Sequence, residues 1–200
     1  VSVFFVLIFA GLIGYLIYFD GVKSDSFVNS PYNTRQDTFS DRVVRGQILS
    51  ADGEILAQTE VDDDGTETRN YPYSNIFAHV VGYDTNGKSG LESEANFQLL
   101  TSHEFFLEQI KNEFMGTKNT GDNVVSTLNA DLQTTAYNSL GDRKGAVVAL
   151  EPSTGKILAM VSKPDFDPNS ISQNWDALVN DETNSSLLNR ATMGQYPPGS

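Results

Sequence analysis

Ala146-Val147-Val148-Ala149-Leu150, then Glu151-Pro152-Ser153-Thr154-Gly155-Lys156, then Ile157-Leu158-Ala159-Met160-Val161, is the stretch that decides the fold class. The outer runs are apolar at every position, whereas a half-exposed strand alternates. They therefore predict two strands covered on both faces. Pro152 and Gly155 supply the turn between them. The pair reads as a hairpin in the middle of a sheet with helices packed over it. Just upstream, Asn129 is placed to cap a helix carrying Leu132, Ala136 and Leu140, with Gly141 past its end. Downstream, Pro164, Pro168, Pro197 and Pro198 punctuate an irregular stretch around Trp175. A sheet needs more strands than these residues supply, so this second domain is expected to run on beyond Ser200.

Further toward the N-terminus the texture is different. Gly90 to Leu100 reads as a helix with Leu91, Ala95 and Leu99 on one face. Ser102 is placed to cap the next helix, whose Phe106, Ile110 and Phe114 form a stripe expected in the core, and Gly116 marks its end. Arg45 to Ala57 reads as two short strands around the turn pair Asp52-Gly53. A second pair flanks Asp62-Asp63-Asp64-Gly65; the later glutamate of a calcium loop is missing, so this is read as a solvated turn and no metal is expected. His79 and His103 have no spacing that ties them to a carboxylate pair, and both read as structural.

Val1 to Phe19 carries no charged side chain and ends at Asp20. At about 1.5 Å per residue it matches roughly the 30 Å core of a bilayer. Tyr15 and Tyr18 sit where an interfacial aromatic belt would lie. A cleaved signal peptide would end in small residues, whereas this run ends Tyr15-Leu16-Ile17-Tyr18-Phe19. A single-pass anchor with the body exported is the expectation. Thirteen basic residues against twenty-six acidic ones, net −13, argue against nucleic acid as a partner. The absence of cysteine rules out disulfides, thiolate catalysis and cysteine-ligated zinc.

The order of several short motifs then carries a resemblance. Arg45-Gly46-Gln47-Ile48 with Asp52-Gly53 and Leu56-Ala57 is followed by Phe77-Ala78-His79-Val80-Val81-Gly82-Tyr83 and Ser89-Gly90-Leu91-Glu92. Next come Gly121-Asp122-Asn123-Val124-Val125, Leu132-Gln133, Lys144-Gly145-Ala146 and Thr154-Gly155-Lys156-Ile157. The series closes with Phe166-Asp167-Pro168-Asn169, Asn189-Arg190-Ala191 and Tyr196-Pro197-Pro198-Gly199-Ser200. From about residue 35 to the end this resembles a class B penicillin-binding protein. One departure is Ser50-Ala51, where the family usually carries an Asp-Arg pair.

The resemblance implies an α+β chain in three parts. These are a transmembrane anchor over 1–19, a β-rich pedestal (dimerisation) domain over 20–140, and the start of a serine β-lactamase/transpeptidase-like α/β domain over 141–200. It implies a peptidoglycan D,D-transpeptidase with Ser200 as nucleophile, matched to the serine of S-x-x-K and lending its backbone N–H to the oxyanion hole. The lysine, the S-x-N motif and the K-T-G motif are then expected beyond these residues, and Ser172-Gln173-Asn174 precedes Ser200 and is read as chance. No cofactor is implied. The implied partners are peptidoglycan stem peptides, β-lactams, the membrane and a polytopic membrane glycosyltransferase, with the body on the extracellular face of the plasma membrane. A non-catalytic penicillin-binding sensor and a structural envelope protein are the alternatives.

Overall fold

The computed structural model describes residues 2–23, 43–103 and 106–197. Helix α1, Ser2–Tyr18, runs on into a π-helical turn, Phe19–Lys23. Every large apolar side chain from Val3 to Tyr18 is exposed, so the helix presents no polar face and buries nothing. Among the described residues it is the one helix, 3–23, long and apolar enough to cross a membrane.

The pedestal is built on two turns that the local chemistry dictates. Strands β1 (Val43–Val44) and β2 (Ile48–Leu49) lead into the first. There Gly53 adopts the left-handed conformation at φ +90°, and Ser50 Oγ accepts from the Glu54 N–H at 2.9 Å. Strand β3 (Ile55–Val61) follows, antiparallel to β2. The acidic tip then closes on itself, Asp64 Oδ1 accepting from the Thr66 N–H at 2.9 Å. Strand β4 (Glu67–Asn70) returns antiparallel to β3. Both expected hairpins are present, and the acidic tip is a turn whose carboxylate serves its own backbone.

Helices α2 (Ala78–Val81), α3 (Gly90–Glu94) and α4 (Asn96–Leu99) pack on this framework. The helix expected over Gly90 to Leu100 is therefore two short ones, parted at Ala95, whose φ of −98° and ψ of 12° leave the helical region. Its expected inner face holds: Ala95 and Leu99 join Ile48, Leu56, Phe77 and Val81 in the core, with Leu91 packed against it. Helix α5 (Phe106–Met115) ends at Gly116, at φ +69°. Its stripe is a correction. Phe114 is 92% and Ile110 41% exposed, because helical spacing shows which side chains share a face and not what covers it. The side chain of Phe106 and the cap proposed for Ser102 lie outside the described residues. Strands β5 (Asn119–Thr120) and β6 (Val124–Val125) then pair parallel to β1 and β2, giving the four-stranded order β4-β3-β2-β6.

A buried ionic cluster locks helices to sheet. Glu92 has no exposed surface, and its carboxylate takes Arg45 Nε at 2.7 Å and Arg69 Nε at 2.8 Å. Arg45 Nη1 also donates to Asn96 Oδ1 at 2.5 Å. Next to it Gly46 donates to Leu99 O at 2.9 Å, in a space where any Cβ would strike the Asp122 carbonyl.

Helix α6 (Ala130–Leu140) comes next. Asn129 Oδ1 caps it, accepting from the Leu132 N–H at 2.8 Å, and Gly141 ends it at φ +57°. Its inner face differs from the apolar reading: Gln133 is fully buried while Leu132 is exposed. Strands β7 (Gly145–Leu150) and β8 (Ile157–Lys163) form the expected antiparallel hairpin. Among the described residues coverage of the hairpin is uneven. Ala159 and Val161 are buried, yet Val148 and Leu150 on β7 are 44% and 54% exposed. Among the described residues nothing is laid over that stretch of β7. Helix α7 (Ile171–Val179) and the single turn α8 (Arg190–Met193) complete the order.

Breaking a buried pair leaves an uncompensated charge, which costs about 3–5 kcal/mol. Glu92→Gln should therefore lower the unfolding free energy of the chain by about that amount, read from its denaturant midpoint. A shift below about 1 kcal/mol would place the pair in the range of exposed ion pairs and contradict its structural role.

Candidate active site

Upstream of Ser200 the chain is held by side chains that bond its backbone. Ser162 on β8 turns its Oγ to the segment above, accepting from the Arg190 N–H at 2.9 Å and donating to Leu188 O at 3.2 Å. Asn189 caps α8, its Oδ1 accepting from the Ala191 N–H at 3.0 Å. Arg190 is buried, and its guanidinium gathers the carbonyls of Ser185 at 3.2 Å, Leu188 at 3.4 Å and Asn184. A planar fork of five donors suits a loop whose carbonyls would otherwise be dry. After α8, Gly194 leaves no room for a Cβ between the Arg190 carbonyl and the Tyr196 ring. Residues 184–194 are thus held by the side chains of Ser162, Asn189 and Arg190 and by the lack of one at Gly194.

The pedestal grips the same segment. His79 Nε2 lies 2.9 Å from Ser186 O, so it carries the proton and donates. Asn189 Nδ2 donates to the His79 carbonyl at 3.4 Å. The His79 ring meets Phe166 edge-on at 5.2 Å, and Tyr83 does the same to both Phe166 and Trp175 at 5.8 Å. A few residues on, Asn169 clamps Tyr71, accepting from its N–H at 2.9 Å and donating to its carbonyl at 3.0 Å. Asp167 Oδ1 accepts from Ser74 Oγ at 2.9 Å. Three motifs that are far apart in sequence, Phe77–Tyr83, Phe166–Asn169 and Asn189–Ala191, therefore meet in space. Between them opens a mainly apolar cleft of about 460 Å³, lined by His79, Leu91, Met160, Phe166, Asn189 and Met193 among others.

Ser200, the nucleophile expected from the resemblance, lies outside the described residues; what is described is the mount of the chain that carries it. Ser172 and Asn174 stand on α7, and Asn174 Nδ2 turns back to donate to Ser170 O at 3.2 Å. His79 is buried between the Ser186 carbonyl and the Phe166 ring. His103 does have a carboxylate, because its Nδ1 meets Asp122 Oδ2 at the pedestal surface. Nineteen residues separate the two, and no spacing rule reaches that far. Asn189 is a motif letter in the sequence and Ser162 is not; their roles as cap and acceptor come only from the fold.

Burial pushes the His79 imidazole below its ordinary pKa of 6.5, against the opposing pull of the Ser186 carbonyl and Asp165. Arg190 adds to the depression. The unfolded chain then binds the proton more readily than the folded one between that lowered value and 6.5, so stability rises with pH across that window. The contribution is complete above about 6.5 and is lost as pH falls below it. Thermal unfolding of the chain should shift down from pH 7.5 to 5.5, and His79→Gln should flatten that slope. An unchanged slope in the variant would show that His79 does not carry it.

Residues 45–124 match the family model for the penicillin binding protein A dimerisation domain, and residues 145–200 the penicillin binding protein transpeptidase domain. Peptidoglycan D,D-transpeptidase PbpA of Mycolicibacterium smegmatis is 39% identical over 90% of this chain and 39% of its own length. Peptidoglycan D,D-transpeptidase MrdA of Acinetobacter baumannii is 33% identical over 66% of this chain and 24% of its own. Among solved structures, the imipenem acyl-enzyme complex of penicillin-binding protein A from M. tuberculosis superposes with a TM-score of 0.68 at 36% identity, covering 78% of this chain and 39% of that one. PBP2 of Pseudomonas aeruginosa gives 0.64 at 30% identity, over 80% and 38%. The chain spans 39% of the length of its mycobacterial relative. With both modules matched in order and the motifs joined in one site, the chain belongs to the class B penicillin-binding proteins, carrying residues of their dimerisation and transpeptidase domains.

Proposed function

We propose that this chain supplies the anchor (1–19), the pedestal (20–140) and the nucleophile-bearing opening of the catalytic domain (141–200) of a peptidoglycan D,D-transpeptidase. The observation that carries this reading is the identity of 39% and 36% to two mycobacterial D,D-transpeptidases over 90% of the chain. Penicillin-binding protein A from M. tuberculosis has been solved as acyl-enzyme complexes with imipenem and penicillin G, which supports the same acylation chemistry here.

In this reading Ser200 Oγ attacks the carbonyl carbon of the penultimate D-Ala of a stem peptide. A serine hydroxyl is a weak nucleophile until a neighbouring base takes its proton. The lysine of S-x-x-K stands three residues on, on the same helix face, and is the group for that task. The Ser200 backbone N–H supports the oxyanion. Collapse of the tetrahedral adduct breaks the peptide bond, and the terminal D-Ala leaves as an amine that takes the proton. An amine of a neighbouring stem peptide then attacks the acyl-serine, which forms the cross-link and restores Ser200. A β-lactam follows the first half of this path. What the described residues contribute lies upstream of Ser200: Ser162, Asn189 and Arg190 hold the loop and turn over residues 184–193.

The uncharged helix through Phe19 would cross the plasma membrane once and leave the body on the outer face, where peptidoglycan lies. The pedestal would then serve as contact surface for a polytopic membrane glycosyltransferase.

One experiment addresses both chemistry and side. In intact cells making the complete protein, a membrane-impermeant labelled penicillin should form an adduct on the peptide containing Ser200. Ser200→Ala should cut the labelling rate by more than about a thousandfold. Labelling of that variant at the original rate would remove Ser200 as nucleophile. Labelling only after lysis would reverse the orientation.

A further inference from the structure

Arg69 on β4 is 5% exposed, and its guanidinium is committed on one side only. Nε donates to Glu92 Oε1, and Nη1 donates to Gly46 O at 2.7 Å and Thr59 Oγ1 at 3.0 Å. Nη2 is buried and makes no hydrogen bond among the described residues. A guanidinium cannot shed its charge, and a donor left dry inside a protein is unfavourable.

The charges at this place are uneven as well. Two guanidiniums, Arg45 and Arg69, share the single carboxylate of Glu92. Glu67 is taken by Lys118 at 2.7 Å. At the rim Lys88 and Asp84 are opposite in sign. Among the described residues the remainder is one positive charge, in a chain whose net charge is −13. Buried charge calls for a counter-charge. A cleft of about 330 Å³ opens over this cluster, lined by Arg45, Thr59, Glu67, Arg69, Asp84 and Lys88 among others.

We propose that this pedestal cleft binds a carboxylate, with Arg69 Nη2 as the donor at its floor, the Thr59 hydroxyl beside it and Lys88 at its mouth. A planar, singly charged group matches both the free arm of the fork and the single excess charge. A phosphate dianion is disfavoured, because Asp84 and Glu67 face the same space. The carboxylate comes from a small free acid or from an acidic side chain of a polypeptide. The site does not depend on the transpeptidase reading.

The test is a titration of the whole chain in detergent micelles, with arginine labelled by nitrogen-15. Sodium acetate is raised at constant ionic strength against sodium chloride. The Arg69 Nε–H resonance should shift saturably with acetate, and Lys88→Gln should weaken the midpoint about two- to fivefold. Lys88 stands at the rim, so this variant leaves the buried cluster intact where replacement of Arg69 would not. Tighter binding of a blocked Gly-Glu-Gly peptide than of acetate, with blocked Gly-Gln-Gly inert, assigns the source to a polypeptide. Saturation by acetate with Gly-Glu-Gly inert assigns it to a small acid. A shift that is linear, equal in chloride, or indifferent to Lys88→Gln overturns the proposal.

Discussion

Among the described residues no strand pairs with the outer edge of β8, and the side-chain amide of Gln133 bonds it instead. Gln133 Oε1 accepts from the Met160 N–H at 2.8 Å while its Nε2 donates to the Met160 carbonyl at 2.9 Å. The same Nε2 reaches Ile76 O at 2.7 Å in the pedestal. One residue thus completes a strand edge and ties it to the neighbouring module. Each such bond contributes only about 1 kcal/mol net, but a buried backbone group left without one costs about 1–3 kcal/mol. The penalty for slippage, rather than the strength of the bonds, fixes the hairpin against the pedestal.

The rest of the architecture follows that edge. Asn129 N–H donates to Leu158 O at 2.9 Å and Thr127 Oγ1 to Ile157 O at 2.6 Å, so the chain entering α6 covers β8 from one end. Two residues past Met160, Ser162 holds the backbone of Arg190 and Leu188. From α2, His79 holds the other side of the same loop through Ser186 and Asn189. The pedestal is accordingly part of the mount for the segment that leads to Ser200, beyond any role as a spacer. Its own rigidity rests on Glu92 between Arg45 and Arg69, which binds helix α3 to strand β4 and to the segment before β2.

Local chemistry was legible in the sequence. Gly53, Gly65 and Gly141 sit at positive φ where turns and caps were expected, and Asn129 caps the helix assigned to it. Apolar runs located β7 and β8 correctly. Partnership over distance was not legible. An apolar rule turns Leu132 inward, whereas the strand edge requires an amide, so Gln133 is the buried residue. Phe114 has helical spacing but no cover among the described residues. Glu92 lies 47 residues from Arg45 and 23 from Arg69, and only the fold brings the three together. For the candidate site, the motif order singled out segments that meet in the fold, while the acceptor role of Ser162 and the grip of His79 depend on contacts that no periodicity encodes.

If Gln133 makes hairpin and pedestal one unit, they open together, and amide hydrogen exchange resolves this residue by residue. The account predicts that the Met160 amide exchanges as slowly as the amides of the β2–β3 pair, with the same dependence on denaturant. Exchange of Met160 and its β8 neighbours at low denaturant, while β2 and β3 remain protected, would contradict it.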